Sequence, residues 1–130
     1  GQTDNYIDYT FSKLNSTYTI LALTLNDSVY STWKTGIDSM IAKVKAKGST
    51  PVLYTLPPRS DRQTFLNQAN NYILNTLNEL VFDAAAAVTT NRDRLNWVSS
   101  YHHPDNVHAT PSGHEAMYQE IVNNNSYLIQ

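Results

Sequence analysis

The chain has 130 residues, of which 41% are hydrophobic and 15% charged, with a formal net charge of −2. That length supports one core and a single domain over residues 1–130, and the mix is that of a globular chain rather than a disordered one. The near-neutral charge argues against nucleic acid as a partner, the apolar runs near residues 19–25 and 80–88 are too short to cross a bilayer, and the absence of cysteine removes disulfides, thiol nucleophiles and Cys-ligated zinc.

The predicted elements alternate between helical and strand periods. Thr3 is placed to cap a helix whose inner face is Ile7, Phe11 and Leu14, ended by Asn15 and Ser16. Residues 17–25 (TYTILALTL) are β-branched and apolar, so they read as a strand buried on both faces and central in its sheet. Residues 28–47 return to helical spacing, with Trp33, Ile37, Met40, Ile41 and Val44 on one stripe. Lys43, Lys45 and Lys47 sit at the dipole's negative end, and Gly48 is the stop. Residues 51–56 (PVLYTL) form a second strand, closed by Pro57 and Pro58. A long helix is expected next, capped by Ser60 or Asp61, carrying Leu66, Ala69, Ile73, Leu77, Leu80 and Ala84 and fraying in residues 84–87. Residues 95–98 read as a third strand, and 99–109 as a polar loop. Thr110 and Pro111 then open a final helix, with Ser112 and Glu115 as a competing capping box and with Met117 and Ile121 facing inward.

Strands joined by helical crossovers imply an α/β fold, a parallel sheet with helices on both faces. Chemistry in such sheets gathers outside the carboxyl ends of the strands, here near residues 25–28, 56–60 and 99–108. Three strands are few for such a sheet. The apolar first strand lacks a candidate neighbour on one edge, so an upstream segment or a second chain is expected to cover it.

Two of those ends carry polar groups suited to catalysis. Asp105 precedes His108 by three residues, a spacing at which a carboxylate can orient an imidazole and stabilise its protonated form. Asn26, after the first strand, can donate its amide to a developing oxyanion or serve as an ordinary turn residue.

Residues 20–58 (ILALTLND, an amphipathic helix ending KAKG, then STPVLYTLPP) together with DNVHATPSGHEAM resemble the SGNH, or GDSL, hydrolase family. The resemblance implies a three-layer α/β/α domain of flavodoxin-like type and a serine esterase needing no cofactor or metal. Asp105 and His108 would be the acid and base of a triad, and Asn26 an oxyanion-hole donor. Gly1 would be the second donor, through its backbone N–H. Two departures stand out. Thr24 replaces the glycine of the family's G-x-N-D block, and the G-D-S block bearing the nucleophile is absent from these residues. The chain therefore reads as an SGNH domain without its first strands. Its nucleophilic serine would lie on another segment, and its substrate would be an ester such as an O-acetyl group on a polysaccharide.

Four alternatives stay open. Ser28, after Asp27, could itself be the nucleophile, which would cost Asn26 its oxyanion role. His102, His103, Asp105 and His108 could bind zinc. The chain could be a non-catalytic carbohydrate-binding or phage tail-fibre module that keeps the hydrolase scaffold. Trp97, Tyr101 and Tyr54 could stack on a sugar or serve only as core and rim, while His102 and His103 read as loop or pocket-rim residues and His114 as structural. The chain holds nine tyrosines and fourteen asparagines, no cysteine, and no charged-then-apolar leader pattern. With that composition an extracellular or virion-associated setting is expected. An Asn26-Asp27-Ser28 glycosylation pattern would mask the oxyanion donor, which favours a bacterial or phage source.

Overall fold

The computed structural model describes residues 17–21, 29–103 and 109–129, so the predicted helix over 3–14 lies outside the described residues. Three parallel strands form the sheet: β1 (Tyr18–Ile20), β2 (Thr50–Tyr54) and β3 (Leu80–Phe82), side by side in that order. The fold class is α/β, as expected, but two strand assignments change. Among the described residues β1 stands at an edge, with β2 in the centre. The third strand is Leu80–Phe82, not residues 95–98.

Alternation along the strands sends side chains to two cores. Leu21 and Leu53 join the face packed by α1 (Tyr30–Ala46) and α2 (Gln63–Asn71), whose Trp33, Ile37, Ile41, Leu66 and Ala69 are buried there. Ile20, Val52 and Phe82 point the other way. Against them pack Leu128, of the terminal 3₁₀ turn, and the half-buried Met117 and Ile121 of α4 (Pro111–Asn124).

α1 ends where the sequence says it should. Gly48 takes φ 81°, the left-handed conformation that only glycine adopts at no steric cost, and its N–H bonds the Lys45 carbonyl at 3.0 Å. Pro51 sits inside the central strand, where a missing N–H would ordinarily break a ladder. Thr50 donates to Thr17 of the β1 side at 2.9 Å, so the neighbouring nitrogen of Pro51 faces the β3 side. The β2–β3 register begins only at Val52 opposite Leu80, so no ladder bond is lost.

The predicted long helix breaks in two places. α2 is opened by Arg62 without a side-chain cap from Ser60 or Asp61, and after Asn71 it loosens into a π-type turn over Tyr72–Thr76. Leu77 then turns extended, which frees Leu80, Val81 and Phe82 to pair with β2. A short helix, α3 (Ala84–Ala87), follows, capped by Asp83. Asn91, Arg92 and Arg94 adopt φ of 52°, 58° and 62°. Each costs roughly 1–2 kcal/mol in a residue with a β-carbon. Two bidentate ion pairs hold this turn, Arg92 to Glu120 and Arg94 to Asp83.

α4 begins as predicted, with Thr110 accepting from the Gly113 N–H at 3.1 Å and Pro111 in the first turn; Ser112 does not act as a competing cap. A β-carbon on Gly113 would collide with the Tyr101 carbonyl oxygen, which also accepts from Thr110 N at 3.0 Å. Gly113→Ala is therefore expected to destabilise the protein by about 1–3 kcal/mol, although alanine is the better helix former. Ser112→Ala, at an exposed neighbour, should stay within about 0.5 kcal/mol. Urea denaturation of the two variants measures the contrast. Among the described residues, no helix is long and apolar enough to cross a membrane.

Candidate functional site

The carboxyl end of β2 is fixed by a buried amide. Asn70 of α2 accepts from the Leu56 N–H at 2.7 Å and donates to the Leu56 carbonyl at 3.0 Å, satisfying both backbone groups where the strand stops. Pro57 and Pro58 follow, and the Pro58 carbonyl accepts the indole N–H of Trp97 at 2.7 Å. Trp97 is held from its own side by antiparallel pairing. Thr90 donates to Asn96 at 2.8 Å and Val98 to Val88 at 2.9 Å. The 3₁₀ turn Ser99–Tyr101 then reverses the chain and lays the His102 ring on the Trp97 ring, centroids 5.1 Å apart and planes 9° from parallel.

These two loops enclose a cleft of about 290 Å³ at the carboxyl edge of the sheet. Arg59, Ser60 and Gln63 line one side, and Asn96, Trp97 and His102 the other. Arg59 is locked to Asp61 by two bonds of 2.8 and 3.1 Å, and its backbone N–H reaches Gln63. The cleft thus offers a flat aromatic wall opposite a hydroxyl, an amide and a neutralised guanidinium, a lining suited to a small polar group with an apolar face. Among the described residues, the His102 Nδ1 is buried without a hydrogen-bond partner.

A second polar assembly joins the ends of β2 and β3. Thr55, fully buried, donates to Asp83 Oδ1 at 2.8 Å and accepts from Ala85 N at 2.9 Å. Arg94 grips the same carboxylate with Nε at 3.0 Å and Nη2 at 2.5 Å. Burial alone would raise the Asp83 carboxyl, but the bonds from Arg94 and Thr55 outweigh it and hold it below its ordinary value. A carboxylate depressed in the folded state contributes stability that is complete above its unfolded pKa of about 3.9 and is lost as pH falls through the folded value. Arg94→Ala should therefore cost about 2 kcal/mol near neutral pH, an interval that narrows once pH drops below about 4. Urea midpoints of both proteins between neutral and strongly acidic pH test this, and a gap that does not change with pH would refute it.

Asp105, His108, Asn26, Gly1 and Ser28 lie outside the described residues, as do two of the four zinc candidates. The described neighbours of the Asp105–His108 segment are nevertheless held at the same edge. His102 and Ala109 form an antiparallel bridge, and Thr110 Oγ1 donates to the Ser100 carbonyl at 2.7 Å. His102 is the rim residue that the sequence suggested. His103 is exposed, and so is His114, which corrects its expected structural role. Tyr54 is half-buried against both cores. Asn70, Asp83 and Arg94 were not singled out from sequence. Asp83 carries a readable signal, a carboxylate directly after an apolar Leu-Val-Phe run, whereas nothing in the sequence marks Asn70. Comparison with known families and with curated proteins returns no match.

Proposed function

We propose that the chain belongs to a carboxylic ester hydrolase of SGNH type acting on an acylated carbohydrate, with its nucleophilic serine contributed from outside these 130 residues. The observation that carries this reading is the strand order. In a flavodoxin-like sheet of order 2-1-3-4-5, the last three strands lie side by side in chain order, and the outer edge of strand 3 receives strand 1. β1, β2 and β3 follow that sequence, and among the described residues β1 pairs with β2 alone. A serine-bearing segment, or a second chain, would occupy the other edge of β1. The fixed cleft at the carboxyl edge, beside the anchor points of the Asp105–His108 segment, is the second support.

In this reading the serine hydroxyl attacks the ester carbonyl while His108 takes its proton. Asp105 holds the imidazole and stabilises its charged form. The Asn26 amide and the Gly1 N–H bind the tetrahedral oxyanion, and His108 returns the proton to the departing alcohol. Water repeats the sequence on the acyl-enzyme and releases the acid. An extracellular or virion-associated setting accords with a cysteine-free chain rich in tyrosine and asparagine.

A non-catalytic carbohydrate-binding module that keeps the scaffold is the second reading. A fluorophosphonate probe with intact-mass and peptide mapping separates the readings. Labelling of a serine outside residues 1–130 in the protein isolated from its source, lost in His108→Ala, supports the hydrolase. Labelling of Ser28 overturns the assignment of Asn26, and no labelling at all leaves the binding module as the function.

A further inference from the structure

A second cleft, of about 690 Å³, lies between α4 and the 87–101 segment, on the side of the Ser99–Tyr101 turn that Tyr101 rather than His102 lines. Its floor is built around a buried charge. Glu120 is 6% exposed, and its oxygens accept from Arg92 Nη1 at 2.7 Å, Arg92 Nη2 at 3.0 Å and Asn124 Nδ2 at 2.9 Å. Glu115, Gln119 and Asn123 stand four residues apart on one exposed stripe of α4, with the Gln119 amide donating to Glu115 at 3.0 Å. Ser112 and Tyr101 close the end of the groove. From Ser112 to Asn123 the stripe runs roughly 16 Å at about 1.5 Å per residue.

Two features select the ligand. The lining holds one arginine and two glutamates, a formal balance of −1, so it disfavours phosphates and carboxylates. Its remaining groups are amides, a hydroxyl and a phenol, which donate and accept in alternation, beside one aromatic ring. A repeating uncharged ligand with vicinal hydroxyls and apolar C–H faces complements that row. The backbone supports a built site. Arg92 is presented from a left-handed conformation, flanked by Asn91 in the same region, and strain of this kind persists where surrounding structure fixes a working geometry.

We propose that the α4 groove binds a neutral oligosaccharide chain, with Tyr101 stacking on a sugar ring and Gln119 and Asn123 bonding its hydroxyls. The inference rests on the carbohydrate part of the proposed function and not on hydrolysis. Tyr101 and Ser112 flank the segment that contains Asp105 and His108, so a glycan in the groove would adjoin the anchor points of that segment.

The test is titration of isotope-labelled protein with cellohexaose, xylohexaose, mannohexaose and chitohexaose, followed by backbone amide shifts and calorimetry. Binding of at least one, with shifts concentrated at Tyr101, Ser112, Glu115, Gln119 and Asn123, is expected. Gln119→Ala and Asn123→Ala should each weaken it about tenfold at unchanged melting temperature, and Tyr101→Ala by more. Binding with shifts elsewhere, or with unaltered affinity in all three variants, overturns the site while leaving a carbohydrate function standing. No binding of any hexasaccharide at millimolar concentration overturns the site, while fluorophosphonate labelling of the serine decides the hydrolase separately. Binding without ester hydrolysis upholds the groove and removes only the hydrolase.

Discussion

His108→Ala is expected to abolish ester hydrolysis by the protein joined to its serine-bearing segment, lowering kcat about a million-fold with little change in KM. The size follows from the role. In the proposed hydrolase one imidazole would serve as base in acylation and as acid toward the leaving alcohol, so its removal would disable the serine as fully as deleting the serine itself. Asp105→Ala should cost less, about ten-thousand-fold, because the ring remains and loses only its orientation and charge partner. Asn26→Ala, removing one oxyanion donor, should cost about a hundred- to a thousand-fold. A neutral imidazole is the working form, so kcat/KM should fall in acid, with a slope of one proton, as the ring takes up its proton. His114→Ala is the control, since His114 is exposed on the outer surface of α4. Rates within tenfold of the parent for His108→Ala would end the triad assignment, and a parent whose rate does not fall in acid would end it independently.

What could be read from sequence divides along a physical line. α1 and α4 are legible because they are specified several times over. Each has an apolar stripe and a local stop or start, Gly48 in a left-handed turn for one and Thr110 with Pro111 for the other. β2 is equally plain, as an apolar run bounded by Pro57. β3 is hidden because Leu77, Leu80 and Ala84 continue the helical phase of α2, and no glycine or proline marks the break. The π-type turn at Tyr72–Thr76 ends the helix through backbone geometry that no residue type announces. The supposed strand at 95–98 fails for a local reason. Asp93 Oδ1 accepts from both Leu95 N at 2.8 Å and Asn96 N at 2.9 Å, so a side-chain turn takes the donors a strand would have used. Leu95 accordingly stands 52% exposed, while Trp97 turns inward to Pro58 and His102. The placement of Trp97, Tyr101 and His102 near a pocket could be anticipated from their loop. Their division between two clefts could not, because it depends on the reversal at Ser99–Tyr101.

Trp33 carries the largest expected effect on stability. It is 2% exposed, and its ring lies 5.8 Å from Tyr30, 6.1 Å from Phe65 and 6.2 Å from Tyr72, so one side chain joins α1 to α2 above Leu21 and Leu53. Trp33→Ala should cost about 3–5 kcal/mol, a large share of the total stability of about 5–15 kcal/mol typical of a domain. The aromatic pairs place it toward the upper end, each contributing about 0.5–1.5 kcal/mol beyond area burial. Trp33→Phe should cost far less, about 1 kcal/mol. The reason is specific: the indole Nε1 is buried without a hydrogen-bond partner among the described residues, so phenylalanine loses packing volume but no bond and sheds a desolvated donor. A loss in Trp33→Phe well above that figure would show that this N–H does have an acceptor. Tyr72 supplies a second readout. Burial, reinforced by its 2.5 Å bond to Asp38, pushes its phenol up to about 12. Opening the ring cluster in Trp33→Ala readmits water, so ultraviolet titration should find Tyr72 ionising nearer to the ordinary tyrosine value, whereas Trp33→Phe should leave it high.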